Sequence, residues 1–249
     1  METPAPPDSS AVGISPKPWG IPAILAALTI PGLLWGASLA IAITQDGAED
    51  FTDSEIVTGL ILTMVLDVAL IGLAAGLALQ RYRLSWAQLG LRPFDRRFWW
   101  LPLVAATAAH IGIIVYAVTL TAIGAGAAVP EQEIDELFES RAVLPLVGVV
   151  TVLMAPLAEE IFFRGFIFPG LLRPFGLAGA MAVSGLLFGA FHITSPDTVG
   201  LIVPFGLVGA LFAWLYHRTG SLWPSVAAHL VFNLTSFVIL ASVVGNGSS

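Results

Sequence analysis

Six side chains in the C-terminal part of this chain could do chemistry together. They stand in the runs Glu159-Glu160-Ile161-Phe162-Phe163-Arg164, Phe188-Gly189-Ala190-Phe191-His192 and His229-Leu230-Val231-Phe232-Asn233. All three runs are otherwise apolar. Ionisable groups at membrane depth are costly and by default mark working sites. Carboxylates and imidazoles can take a proton from water, and imidazole or carboxamide groups can donate to a developing oxyanion. The chemistry open to this set is hydrolysis, provided that one membrane pocket holds it.

Spacing divides the roles. Glu159 and Glu160 are adjacent, so on a helix they point about 100° apart and only one can face a site squarely. Arg164 follows Glu160 at the spacing and in the order that favour a helix ion pair. Glu160 and Arg164 are therefore expected to neutralise each other and shape the site, leaving Glu159 as general base. The plainer alternative is that both glutamates only pair between helices, but two carboxylates against one guanidinium leave one over. His229 and Asn233 sit one turn apart and can donate from one helix face; interhelical hydrogen bonding is their plainer alternative. A lone His192 would more often be a satisfied core residue, and it gains meaning beside Glu159. Phe162, Phe163, Phe188, Phe191 and Phe232 are either ordinary packing or a dry wall around the site. Asp67 and His110, both mid-span, are expected to make buried structural pairings, and His217 to sit at an interface.

The elements that must position these groups are membrane helices. The chain has 249 residues, 57% hydrophobic and 11% charged, with mean hydropathy +0.89; a soluble domain carries about 25% charged residues. Apolar runs near 20 residues long indicate helices rather than barrel strands. The expected fold is an all-α polytopic membrane bundle of about seven transmembrane helices, at 19–44, 56–80, 98–124, 142–168, 176–194, 199–216 and 222–244. The fourth and sixth are the least regular, carrying Pro145, Pro156 and Pro204. Residues 1–18 are polar and Pro-rich, as in a disordered tail, so the domain division is 1–18 and 19–244. The first apolar run reads as a retained span, not a cleaved signal. No internal repeat supports a repeat-built transporter.

Loop charge orients the bundle. Arg81, Arg83, Arg92, Arg96, Arg97, Arg173 and Arg218 fall on one side; Asp46, Glu49, Asp50, Asp53, Glu55, Glu131, Glu133, Asp135, Glu136 and Glu139 fall on the other. The positive-inside rule then places the N-terminus in the cytoplasm of a multi-pass cell-membrane protein, with Trp86, Trp99, Trp100 and Trp223 at the inner interface. By helical rise, Glu159 would lie about 20 Å from Arg173, His192 about 24 Å from the inner face, His229 about 10 Å and Asn233 about 16 Å deep. These depths permit a shared pocket. The bilayer is thus an expected partner, and the absence of a basic surface argues against nucleic acid. With no cysteine, disulfides and thiolate metal sites are excluded.

In order and spacing these residues resemble the CAAX-protease and bacteriocin-processing (CPBP, or Abi) family of intramembrane proteases, similar to the CAAX prenyl endopeptidase. The family pattern is Glu-Glu-x-x-x-Arg, Phe-x-x-x-His and His-x-x-x-Asn on successive membrane segments. The chain matches it at Glu159-Glu160-x-x-x-Arg164, Phe188-x-x-x-His192 and His229-x-x-x-Asn233, within about residues 145–238. The resemblance implies an intramembrane endopeptidase acting on a membrane protein or peptide, prenylated or a peptide precursor. Glu159 and His192 would activate water, and His229 and Asn233 would hold the oxyanion. The family is often called metal-dependent, and Glu159, His192 and His229 could hold Zn2+ with an open position. The absence of His-Glu-x-x-His favours metal-free, glutamate-activated water. The competing expectations are a non-catalytic membrane adaptor or immunity protein on the same scaffold and, less well supported, a proton-coupled transporter.

Overall fold

The computed structural model describes residues 14, 16–44, 52–125, 138 and 140–247, and among these every regular element is helical. α1 runs Ile21–Thr44 and α2 Asp53–Ala75, which continues into a π-helical turn Gly76–Arg81. The short α3, Trp86–Leu89, precedes α4, Leu101–Ala122. A long irregular run follows: α5 Leu144–Gly148, a π-helical segment Val149–Met154, α6 Ala155–Glu159, a second π-helical segment Glu160–Ile167 and α7 Phe168–Ala190. α8 Ile202–Thr219 and α9 Leu222–Gly247 complete the bundle. Thr52 and Glu55 form a capping box that starts α2, satisfying donors that the first turn leaves open.

Among the described residues, five helical runs are long and apolar enough to cross a membrane: Asp53–Arg81, Arg96–Ala122, Leu144–Ala190, Thr198–Thr219 and Leu222–Val244; a shorter apolar stretch covers Ile21–Ala37. The expected spans 142–168 and 176–194 are not separated by a loop. They form one run of 47 residues, interrupted at Gly176, where φ is 64° and ψ is −176°. Drawn straight, such a run would measure about 70 Å, over twice the hydrocarbon thickness of about 30 Å. The positive φ at Gly176 is the turning point, and glycine adopts it without the penalty a Cβ brings.

The irregularity expected near Pro156 takes a specific form. In the first π-helical segment Ala155 N donates to Val150 O, an i+5 register. In that register the Thr151 carbonyl would next meet the nitrogen of Pro156, which has no hydrogen to give. Asn233 on α9 fills the gap, its Nδ2 donating to Thr151 O at 2.7 Å. Neighbouring side chains thus satisfy the freed backbone group, as a buried membrane segment requires.

α7 and α8 approach closely through glycine. A Cβ on Gly185 would run into Gly206 O and Ala210 N, one on Gly189 into Ile202 O and Gly206 N, and one on Gly209 would lie 2.9 Å from Gly185 Cα. The Gly185-x-x-x-Gly189 spacing is the small-residue pattern that brings membrane helices together, and here it draws the Gly209 carbonyl towards Arg164.

The tail expected at 1–18 lies largely outside the described residues, as do Asp46, Glu49, Asp50 and the acidic residues 131–136 and Glu139. Its described end is packed. Ile14 N donates to His217 Nδ1 at 3.2 Å, and Lys17 N to Pro169 O at 3.4 Å. Burial, aided by Arg92, pushes the Lys17 ammonium below its ordinary range. Trp19 stacks on Phe166 with ring centroids 4.8 Å apart, and its Nε1 donates to Phe166 O at 3.0 Å. Apolar Ile14, Trp19 and Ile24 thereby join the central core with Phe162, Phe166 and Phe168.

Candidate active site

Glu159 ends α6, and Glu160 opens the second π-helical segment. Arg164 Nη1 lies 2.9 Å from Glu160 Oε1, and both side chains are fully buried. From α9, His229 Nδ1 reaches the same Oε1 at 3.0 Å. A carboxylate only accepts, so Nδ1 carries the proton, and neutral His229 presents a lone pair at Nε2. That Nε2 stands 3.9 Å from Glu159 Oε2. The distance is too long for a hydrogen bond but short enough for both atoms to accept from one oxygen between them. Glu159 Oε2 is buried without a hydrogen-bond partner, although the side chain as a whole keeps 20% of its surface exposed.

Arg164 is held by more than charge. Its Nη2 donates to Gly209 O at 3.2 Å. Its guanidinium lies 4.3 Å from the Phe188 ring centre, 5.5 Å from that of Phe212 and 5.9 Å from that of Phe163. Aromatic faces attract a desolvated guanidinium, and these rings surround one whose Nε has no hydrogen-bond partner.

His192 belongs to the same aromatic cluster. Its Nδ1 donates to Phe188 O at 2.8 Å, so Nε2 again carries the lone pair. The ring stacks on Phe205 with centroids 4.4 Å apart and leans on Phe188 at 4.6 Å. Phe188 also faces His229 edge-on at 5.7 Å. The structure therefore brings Glu159, Glu160, Arg164 and His229 into contact, sets His192 one phenyl ring away, and ties Asn233 to Thr151 beside them. Among the described residues His192 makes no hydrogen bond or ion pair to Glu159. Asn233 keeps a second N–H on Nδ2 beyond the one spent on Thr151.

Several contributors were not anticipated from sequence. Phe205 and Phe212 complete the aromatic wall, and Gly209 supplies an acceptor for Arg164. Asp67 on α2, expected to be paired, is 3% exposed and its Oδ2 has no hydrogen-bond partner; its charge acts on Glu159. The clue in the sequence was its mid-span position alone. His110 does have the structural pairing expected of it: Nδ1 donates to Ala106 O at 2.9 Å, and Nε2 meets Ser236 Oγ at 3.3 Å.

The zinc set named above can be tested on these positions. Among the described residues no three His, Asp or Glu side chains gather as metal ligands would, and His192 and His229 each pack on the Phe188 ring. The residues as they stand do not fit a three-ligand site, and no step below passes through a metal.

Over 97 residues the chain is 34% identical to the Bacillus subtilis (strain 168) protein named "Putative membrane peptidase YdiL". The match covers 39% of this chain and 37% of that protein, so the chain spans little more than a third of the length of the curated relative it matches. No solved structure matches it. Residues 141–235, which contain Glu159, Glu160, Arg164, His192, His229 and Asn233 but none of α1, α2 or α4, match the type II CAAX prenyl endopeptidase Rce1-like family, the resemblance that the motif spacing led us to expect.

Proposed function

We propose that the chain is an intramembrane endopeptidase that hydrolyses peptide bonds of membrane-associated proteins or peptides, in a multi-pass membrane protein with its arginine loops in the cytoplasm. One observation carries this reading. Glu160 is engaged through Oε1 by both Arg164 and His229, with its Oε2 unpartnered, whereas the adjacent Glu159 has neither contact and brings an unpartnered oxygen to within 3.9 Å of His229 Nε2.

A water between those two acceptors donates one hydrogen to each, which turns an oxygen lone pair towards a substrate carbonyl. Glu159 takes the first proton as the water oxygen attacks the carbonyl carbon. The resulting oxyanion accepts the second N–H of Asn233. Glu159 then passes its proton to the leaving nitrogen as the C–N bond breaks, giving a carboxylic acid and an amine. Glu160 fixes the His229 tautomer and Arg164 fixes Glu160. His192 shares the Phe188 ring with His229, and the rings of Phe163, Phe188, Phe205 and Phe212 limit water entry, which strengthens local electrostatics.

The test is cleavage of membrane-anchored peptides, prenylated and unprenylated, by purified protein in lipid nanodiscs. Glu159→Gln is expected to lower the rate by at least about 100-fold, the scale of general base catalysis, with insertion and thermal stability retained. A chelator arm is expected to leave the wild-type rate unchanged. Cleavage by Glu159→Gln at the wild-type rate would overturn the assignment. A cellular function that survives both Glu159→Gln and His192→Ala would instead support a non-catalytic adaptor.

A further inference from the structure

Among the described residues, Asp67 is the buried carboxyl near the site that the proposed reaction leaves without work. It falls on the inward stripe of α2 with the buried residues Ile56, Leu60, Leu70 and Ala74. α2 packs directly on α6 and on the Glu160–Ile167 segment, so the stripe faces the backbone that carries Glu159. Asp67 Oδ2 and Glu159 Oε2 are both buried without hydrogen-bond partners, and the charge of an ionised Asp67 bears on Glu159. The other charged or titratable groups acting on Glu159 are Glu160, Arg164 and His229; α1, which also packs on α2, contributes none. Arg164 is already matched by Glu160. Two further carboxylates in a dry interior cannot both stay ionised beside each other, so one proton must serve the pair.

Building on the assignment of Glu159 as base, we propose that Asp67 is a positioning residue: it holds that proton and donates it as a hydrogen bond to Glu159, so that one oxygen of Glu159 is fixed and the other is turned to the water. The shared proton spares the interior a second buried charge. It also gives α2, which lies outside the segment matched to the family, a direct hand in the reaction.

An aspartic acid acting as a donor can be replaced by asparagine, whose Nδ2 also donates, but not by leucine, which has similar bulk and no donor. In the nanodisc cleavage assay Asp67→Leu is expected to lower kcat roughly 10- to 100-fold, the weight of a hydrogen bond to a charged group, with KM within about twofold of wild type. Asp67→Asn is expected to stay within about threefold of wild type in both parameters. Thermal unfolding checks that both variants fold, and Glu159→Gln is run beside them. Wild-type kcat in Asp67→Leu, a loss in Asp67→Asn as deep as in Asp67→Leu, or a change confined to KM would overturn the proposal while an inactive Glu159→Gln leaves the assignment of Glu159 standing. Activity in Glu159→Gln would remove that assignment and, with it, any action of Asp67 through Glu159.

Discussion

Arg164 is a guanidinium with no exposed surface, and the balance around it decides what the neighbouring acids can do. Removing one partner of a buried ion pair leaves an uncompensated charge and costs about 3–5 kcal/mol. Arg164→Met is therefore expected to lower stability by about that much, read by thermal or denaturant unfolding in detergent. The double variant Glu160→Gln with Arg164→Met should lose clearly less than the sum of the two single changes, because no charge is left alone. Additive losses would mean that the two groups do not depend on each other. Asn233 invites a second cycle. Its bond to Thr151 O stands in for the N–H that Pro156 lacks, so Asn233→Leu leaves a buried carbonyl unpaired, at a cost of about 1–3 kcal/mol. In a Pro156→Ala background the new N–H should recover much of that loss. An unchanged loss would show that Pro156 is not why the carbonyl is open.

At the scale of the element, close contact between α7 and α8 controls where the Phe188 ring, the Gly209 carbonyl and hence Arg164 lie. The glycines at this crossing are not equivalent. Gly189→Ala would press its methyl into Ile202 O and Gly206 N, and overpacking of this kind costs about 1–3 kcal/mol. Gly206→Ala meets its nearest atoms only at 3.6 Å, ordinary van der Waals contact, so it should be neutral or gain up to about 1 kcal/mol from helix propensity. Equal effects of the two changes on unfolding would contradict this asymmetry of the crossing. Pro156 and Gly176 punctuate the other long element, the first by withholding a donor and the second by permitting a turn.

For the whole molecule, the segregation of arginines from acids predicts which loops face which side. The chain has no cysteine, so single introduced thiols can report this cleanly. Ala87→Cys, in an exposed stretch beside Arg83 and Arg92, should resist a membrane-impermeant maleimide in intact cells. Ser54→Cys, at the start of α2, should react. The reverse pattern would invert the orientation. Much of this molecule was legible in the linear order of residues. Apolar runs of membrane length announced the helices, and the i,i+4 interval of Glu160 and Arg164 announced their pair, because both depend on local periodicity. The register shifts at Val149–Met154 and Glu160–Ile167 were not legible beyond an expectation of irregularity. They depend on which distant side chain arrives to fill an open carbonyl. The unpaired Asp67 was hidden for the same reason: a single acid in an apolar run does not say what it will face.

Trp19 is made well before its seat, for the Phe166 ring and carbonyl that hold it lie 147 residues later in the chain. Until that partner is synthesised, the indole has only the Tyr82 ring, 5.6 Å away between centroids in the finished fold, to rest against. The Trp19 segment is then fastened late, once Phe166 exists, and its seating can serve as a sign that the site-bearing run is in place.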